Sequence, residues 1–378
     1  MMKPSELRKL SASPVDLLTH MVEIASPSCN EEELAIYLAH VMSTMGYTVK
    51  RDSAGNVIGE IGHGSPRVLL CGHMDTVPTM IPVKVEEGVL HGRGSVDAKA
   101  PLAAIIVAAS RAAKYFNGTL VVACVTDEEG RNQGIRNIVK NYSDFTCAVF
   151  GEPTNVDTIT VGYKGNLSIK VICETVTGHS SAPWLFENSA EKAIEIWSEI
   201  KTLSTLPVNG SYFNSVSVCL KRIHSGQESS IVPPSGEILI DIRFPPSVTA
   251  QSLEDKITRI LQRYTDSHPK VRVSYERIDY AEPYLSPNRT LAVKALSSAI
   301  YRLRGTHVRL ITRTGTGDMN VFGNATGVPS VTYGPGDSHY DHTPNEQIKL
   351  NDYLESVEIL TKAILLIGEY YEKRSKTP

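Results

Sequence analysis

A chain of 378 residues is long enough for two domains. Hydrophobic residues make up 41% and charged residues 21%, the balance of an ordinary globular enzyme. With 38 Lys and Arg against 41 Asp and Glu, a formal net charge of -3 and no basic block, neither nucleic acid nor an anionic membrane is expected as the main partner. No apolar run approaches the roughly 18 residues of a membrane span. Residues 1–14 lack the apolar core of a signal peptide. The six cysteines (Cys29, Cys71, Cys124, Cys147, Cys173 and Cys219) are scattered without a C-x-x-C pair, and they read as buried thiols in a reducing cytoplasm.

In chain order, Ser13, Pro14 and Asp16 mark a helix start. Asn30 with Glu33 marks another, whose apolar face is Leu34, Leu38, Val41, Met42 and Met45 and whose stop is Gly46. Residues 47–51 and 57–61 read as a hairpin leading into a strand at 68–71 that is apolar on both faces. Gly88 makes a second turn. Pro101 opens a helix so apolar all round that it must be buried on most sides. Strands at 119–126 and 146–150 follow, with a polar helical segment near 135–142 between them. Such alternation predicts an α/β fold with a mostly parallel sheet and helices on both faces. From about Gly165 the pattern changes to strands with one wet face, at 167–173, 215–219 and 237–243. Helices fit 190–203 and 252–264, and a strand fits 270–275. That order predicts an inserted α+β (β-α-β-β-α-β) domain. The domains are therefore expected at 1–165 with 280–378, and at 166–279. From about Ala281 the buried-helix pattern returns. A strand at 330–332, a closing amphipathic helix at 352–371 and a polar tail complete the chain.

Acids and histidines collect where apolar runs end. His73 and Asp75 close the 68–71 strand, where residues i and i+2 point the same way. Asp97 lies in GRGSVDAK, Asp127, Glu128 and Glu129 follow LVVACVT, Glu152 follows CAVFG, and His342 lies in YDHTPNE. Each alone fits a dull role: His73 as a turn histidine bonded to an aspartate, a carboxylate as the cap of the next helix. Five together at strand ends are harder to explain that way, because open α/β sheets bind ligands at those ends. Two histidines and three carboxylates (His73, Asp97, Glu129, Glu152, His342) suit a pair of borderline divalent ions such as Zn²⁺. Glu128 is left over beside a ligand, where a general base belongs.

These motifs resemble those of the dinuclear zinc amidohydrolases and exopeptidases typified by acetylornithine deacetylase and succinyl-diaminopimelate desuccinylase. His-x-Asp, Gly-Arg-Gly-x-x-Asp-x-Lys, Asp-Glu-Glu, Gly-Glu-Pro-Thr and His-Thr-Pro-x-Glu occur in that family's order and spacing, from about residue 14 to 371. The resemblance implies that Asp97 bridges two Zn²⁺ (or Co²⁺) ions, Glu129 and His342 completing one site and His73 and Glu152 the other. It implies that Asp75 orients His73, that Glu128 is the base, and that the Asp97–Ala98 peptide is a candidate for cis. In the insertion, TGHSSAPWLFENSA resembles the segment whose histidine, here His179, reaches a partner subunit's site and stabilises the oxyanion. IVPPSGEILIDIRFPP resembles the segment whose arginine, here Arg243, binds a substrate carboxylate. Taken residue by residue, His179 also fits a surface helix cap and Arg243 an exposed strand arginine in an ion pair. Ser230 and Ala100-Pro101 depart from the family pattern, which bears on substrate rather than chemistry.

The loop at 312–320 and the YGPGDSHYDHTPNE segment resemble family members that release lysine or ornithine from an amino-group carrier protein of the LysW type. Arg313 and Gly315 are then the candidate substrate contacts. The implied protein is a cytoplasmic homodimer, or higher homo-oligomer, of lysine or arginine biosynthesis. The alternatives are an acetylornithine or acetyl-lysine deacetylase, a succinyl-diaminopimelate desuccinylase, a dipeptidase, or a metal-stabilised binding protein without catalysis. Retention of Glu128 argues against the last.

Overall fold

In the computed structural model, which describes residues 13–207 and 209–375, the chain divides into two compact units. One holds the chain up to Gly162, Ser286–Ile311 and Gly317 onward; the other holds Tyr163–Leu285 and Thr312–Thr316. The ends of the chain, including the last three residues of the polar tail, lie outside the described residues.

The elements up to the first crossing are α1 (Pro14–Glu23), α2 (Glu32–Thr44), β1 (Thr48–Arg51), β2 (Val57–Gly62), β3 (Arg67–His73), β4 (Lys84–Glu86), β5 (Val89–His91), α3 (Lys99–Ala113), β6 (Thr119–Val125), α4 (Gln133–Asn141), β7 (Cys147–Phe150) and β8 (Thr158–Tyr163). The next are β9 (Gly165–Glu174), α5 (Ser189–Lys201), β10 (Ser217–Ser225), β11 (Ser235–Phe244), α6 (Ala250–Ser267), β12 (Arg272–Ala281) and β13 (Tyr284–Leu285). The chain closes with α7 (Leu291–Arg304), β14 (Arg309–Arg313), α8 (Asp318–Thr326), β15 (Ser330–Thr332), β16 (Gln347–Lys349) and α9 (Leu350–Ser375).

The larger sheet runs β1-β2-β6-β3-β7-β15-β8. Its centre, β6-β3-β7-β15, is parallel, and β1, β2 and β8 pair antiparallel outside it. The parallel register decides where chemistry can occur. His73 is level with Val125, and Cys71 with Phe150, so the chain leaves β3, β6 and β7 along one edge of the sheet. Helix α3 is buried along nearly its whole circumference because α1 and α9 cover one side while β3 and β6 meet the other. The apolar core of this unit is continuous through these elements.

Several boundaries differ from the sequence expectation. The Ser13 hydroxyl does accept from Asp16 N at 3.2 Å, with Pro14 at the first helical position. Asn30, however, does not cap α2. Its N–H closes a turn on Pro27 O, and the Glu31 carboxylate accepts instead from Cys29 N and Asp127 N. Residues 84–91 form a hairpin that β16 extends to three strands, a pairing made by chain far away in sequence. The loop expected through 320 becomes helix α8 from Asp318. Helices α7 and α8 stop at Gly305 and Gly327, whose φ near +69° and +68° a larger residue would resist.

In the second unit the expected order is realised as β9-α5-β10-β11-α6-β12, folded into an antiparallel sheet β10-β11-β9-β12. Leu167, Ile169, Val171 and Cys173 of β9 and Ile238, Ile240, Ile242 and Phe244 of β11 all face α5 and α6. All six cysteines are free. Cys71, Cys124, Cys147 and Cys173 are buried, but Cys29 and Cys219 are exposed, in a left-handed turn and on the outward face of edge strand β10 respectively. Among the described residues no helix is long and apolar enough to cross a membrane.

Candidate metal centre

His73 ends β3 with 1% of its surface exposed. Its Nδ1 donates to the Asp75 carbonyl at 2.9 Å, which orients the ring and turns Nε2 toward the sheet edge. The Asp75 carboxylate stands farther off, at 3.5 Å from the same nitrogen. It accepts instead from Ser28 Oγ (2.7 Å), Glu128 N (3.0 Å) and Glu129 N (3.0 Å). Asp75 thus orients the histidine through its backbone, and through its side chain it ties the loop after β6 to the loop after β3. Burial raises its pKa, but the nearby His73 imidazole and the hydrogen bonds from Ser28 and Glu128 N outweigh that and the net shift is downward.

Two groups of donors form at this edge. His73, Asp97 and Glu152 make one; Asp97, Glu129 and His342 make the other, and Asp97 belongs to both. His73 Nε2 lies 3.2 Å from Asp97 Oδ1 and 3.6 Å from Glu152 Oε1. His342 Nε2 lies 3.1 Å from Asp97 Oδ2 and 2.6 Å from Glu129 Oε1. The Asp97–Ala98 peptide is cis. Asp127 and His342 hold φ of +61° and +60°, a conformation that costs non-glycine residues of order 1–3 kcal/mol and collects at functional sites.

Charge explains what this arrangement wants. Hydrogen bonds that His342 donates to the Asp97 carboxylate, and then to Glu129, push its pKa up to about 10. Burial pulls His73 down, yet Glu152, Asp75 and Asp97 together raise it well above the usual imidazole range. Burial also drives Glu152 and Glu128 up. Imidazoles that hold protons this tightly, among carboxylates forced toward neutrality, mark a pocket with a deficit of positive charge. Nitrogen and carboxylate donors with one carboxylate common to both groups therefore fit a pair of divalent cations.

Glu128 belongs to neither donor group. A Cβ added at Gly317 would come within 3.1 Å of its Oε1, so the start of α8 closes down on this side chain. Asn132 donates to Glu128 O at 3.3 Å and to Asp318 at 3.0 Å. Ser28, Asn132 and Asp318 carried no signal in the sequence, since their partners are 47 to 186 residues away or lie in backbone. Glu346 was visible only as the last residue of His-Thr-Pro-x-Glu; it is fully buried against Arg93 and the Asp97 loop.

The remaining candidates lie in the second unit. His179 is exposed, and its Nδ1 accepts from Ser181 N at 3.1 Å, which leaves a donor at Nε2. Arg243 reaches Asp241 through Nε (2.8 Å) and Thr316 through Nη1 (2.9 Å). Arg313 O accepts from Lys164 N at 3.2 Å, and Gly315 has only Tyr163 Cδ1, at 4.0 Å, near a would-be Cβ.

A Deinococcus radiodurans protein named LysW-lysine hydrolase is 33% identical over 93% of this chain and 97% of its own. A Thermococcus kodakarensis relative, provisionally named LysW-lysine/LysW-ornithine hydrolase, is 35% identical over 94% and 92%. The fold matches an M20 family metallo-carboxypeptidase of Sulfolobus solfataricus with a TM-score of 0.79 at 17% identity, covering 94% of this chain and 99% of that one. It also matches a Bacillus subtilis protein described as a dinuclear metal-binding peptidase of the M20 family, at a TM-score of 0.72, 14% identity, and 96% and 99% coverage. Residues 69–366 match the sequence model of "Peptidase family M20/M25/M40", and so the chain is a hydrolase belonging to that metal-dependent family.

Proposed function

We propose that this protein hydrolyses an amide to release lysine or ornithine from a LysW-type carrier-protein conjugate, using two Zn²⁺ ions per chain. The observation that carries the reading is the pair of donor groups joined at Asp97, with Glu128 beside both and bound to neither. The names of relatives that span nearly the whole chain support the substrate. His73 and Glu152 would hold one ion, Glu129 and His342 the other, and Asp97 both. Bound there, the ions would supply Lewis-acid polarisation and acidify water.

The protein's own groups do the rest. Glu128, partly buried and with its pKa raised first by burial, is suited to take a proton from the attacking water and return it to the leaving amine. His179 Nε2–H would stabilise the oxyanion from a partner subunit of a homodimer. Arg243, with Arg313 and Gly315, would receive the substrate's carboxylate. Six unpaired thiols suit a cytoplasmic setting.

The test is a comparison of amine release from carrier-linked lysine and ornithine with release from acetyl-lysine, acetylornithine, succinyl-diaminopimelate and a dipeptide. It is run on chelator-treated protein before and after Zn²⁺ is restored. Carrier-linked substrates should be turned over with the highest kcat/KM and only after metal is restored. Preference for any other substrate would replace the carrier reading, and turnover of none would favour a binding protein.

A further inference from the structure

The loop that carries Asp97 (residues 92–98) turns its backbone N–H groups onto one side chain. Glu346 Oε1 accepts from Val96 N at 2.9 Å and from Asp97 N at 3.0 Å, and Gly94 N–H bonds to the same carboxylate. Its Oε2 pairs with Arg93 Nη1 at 2.6 Å, while Arg93 Nε donates to Thr79 O at 2.8 Å. Glu346 is 0% and Arg93 3% exposed. The backbone of Glu346 takes part as well, accepting from Gly92 N at 3.2 Å. Successive backbone amides curved round a carboxylate form the kind of concavity that binds anions. Here the protein fills it with its own glutamate.

A buried ion pair is a weak route to stability, since apolar residues of equal volume usually serve as well or better. What an apolar residue cannot do is pull three N–H groups of one loop toward a common point. Glu346 stands four residues after His342, whose Nε2 lies 3.1 Å from Asp97 Oδ2. One short segment therefore holds Asp97 twice, at its backbone N–H and at its carboxylate.

We infer that Glu346, fixed by Arg93, is a positioning residue that sets the orientation of Asp97 and so controls metal binding at both donor groups together. The inference rests on the reading of Asp97 as the shared donor. Losing Glu346 removes no donor atom; it lets the loop turn, and because Asp97 serves both groups, both weaken. A role in stability alone would lower the unfolding temperature and leave the affinity of the folded protein unchanged.

The experiment is a Co²⁺ titration of the chelator-treated full chain, followed by visible absorption and by chelator competition, with far-UV circular dichroism as the check on folding. The proteins are the parent, D97N, E346Q, E346D, and R93M/E346Q, which removes both buried charges and so leaves neither unpaired. E346Q and R93M/E346Q are expected to bind both Co²⁺ ions about 10–100-fold more weakly, with an altered d–d band and unchanged circular dichroism. E346D, which keeps the charge but shortens the reach, should fall between them and the parent. Parent-like spectra and affinities within about twofold in folded R93M/E346Q, with binding lost in D97N, would overturn the positioning role and leave the site reading standing. If the double variant does not fold, the same result in E346D overturns it. Two ions bound as tightly by D97N as by the parent would overturn the shared-donor reading and this inference with it.

Discussion

A carboxylate serves as a base toward water only where it is close to the reacting atoms and not itself committed to a cation. In the proposed reading Glu128 would meet both conditions: it belongs to neither donor group, while Glu129 belongs to one, and the backbone N–H groups of the pair both donate to the Asp75 carboxylate. Consecutive residues fixed in this way point their side chains apart. Glu128→Gln keeps the size and both backbone hydrogen bonds but cannot carry the proton. It is expected to bind two metal ions per chain and to lose roughly 10²-fold or more in kcat. Retention of more than a few per cent of the parent kcat, with metal content measured on the same sample, would show that another group is the base. Glu128→Asp should also be damaging, because the shortened side chain draws back from the water.

The loop after β6 owes its shape to the helix that follows. Gly134, in the first turn of α4, lies against the end of β6, its N–H donating to Thr126 O at 3.2 Å and its carbonyl accepting from Asn56 Nδ2 at 2.9 Å. Asn56 in turn accepts from Thr126 N at 3.0 Å. A Cβ at Gly134 would come within 2.5 Å of Thr126 O and 2.6 Å of Thr126 N, and backbone so tightly bonded has nowhere to go. Gly134→Ala is therefore expected to destabilise the fold by about 1–3 kcal/mol, although alanine is the better helix former. Denaturant unfolding measures the cost. An unchanged or raised midpoint would mean that α4 slides along the sheet without penalty.

At the scale of the whole molecule the proposal of a homodimer carries a consequence for catalysis. The second unit presents β10 and β12 as edge strands, and Trp184, Leu185, Leu206 and Tyr212 are all more than 60% exposed there. Unpaired edges and exposed aromatic surface invite a symmetric partner. If His179 then acts across the interface, Glu128→Gln and His179→Ala chains each spoil a different half of a site. Mixed dimers would have one whole site in two, giving about half the parent activity for a pure hybrid and about a quarter for a random mixture. Activity no higher than that of the separate variants, in a mixture shown to exchange subunits, would place His179's action within its own chain or outside catalysis.

Local pattern determined much of this protein. Strands β3, β6 and β7, helix α3 and the β-α-β-β-α-β order were legible because apolar period, turn residues and capping act over a few residues. Part of the acid and histidine set was legible for the same reason: His73 ends β3, and Asp75, Glu128, Glu129 and Glu152 follow their strands by two to four positions, whereas Asp97 and His342 lie farther along their loops. What depends on distant chain was not. The pairing of β16 with β5, the Asp75 carboxylate that binds the Glu128–Glu129 backbone 53 and 54 residues on, and the Arg93–Glu346 pair across 253 residues have no local signature. Asn30 closes a turn on Pro27 O instead of capping, and the neighbouring Glu31 accepts from Asp127 N, 96 residues away. A sequence can point to candidate metal donors. Only the closed fold decides which backbone N–H groups hold those donors still, because that requires two remote loops to meet where water has been excluded.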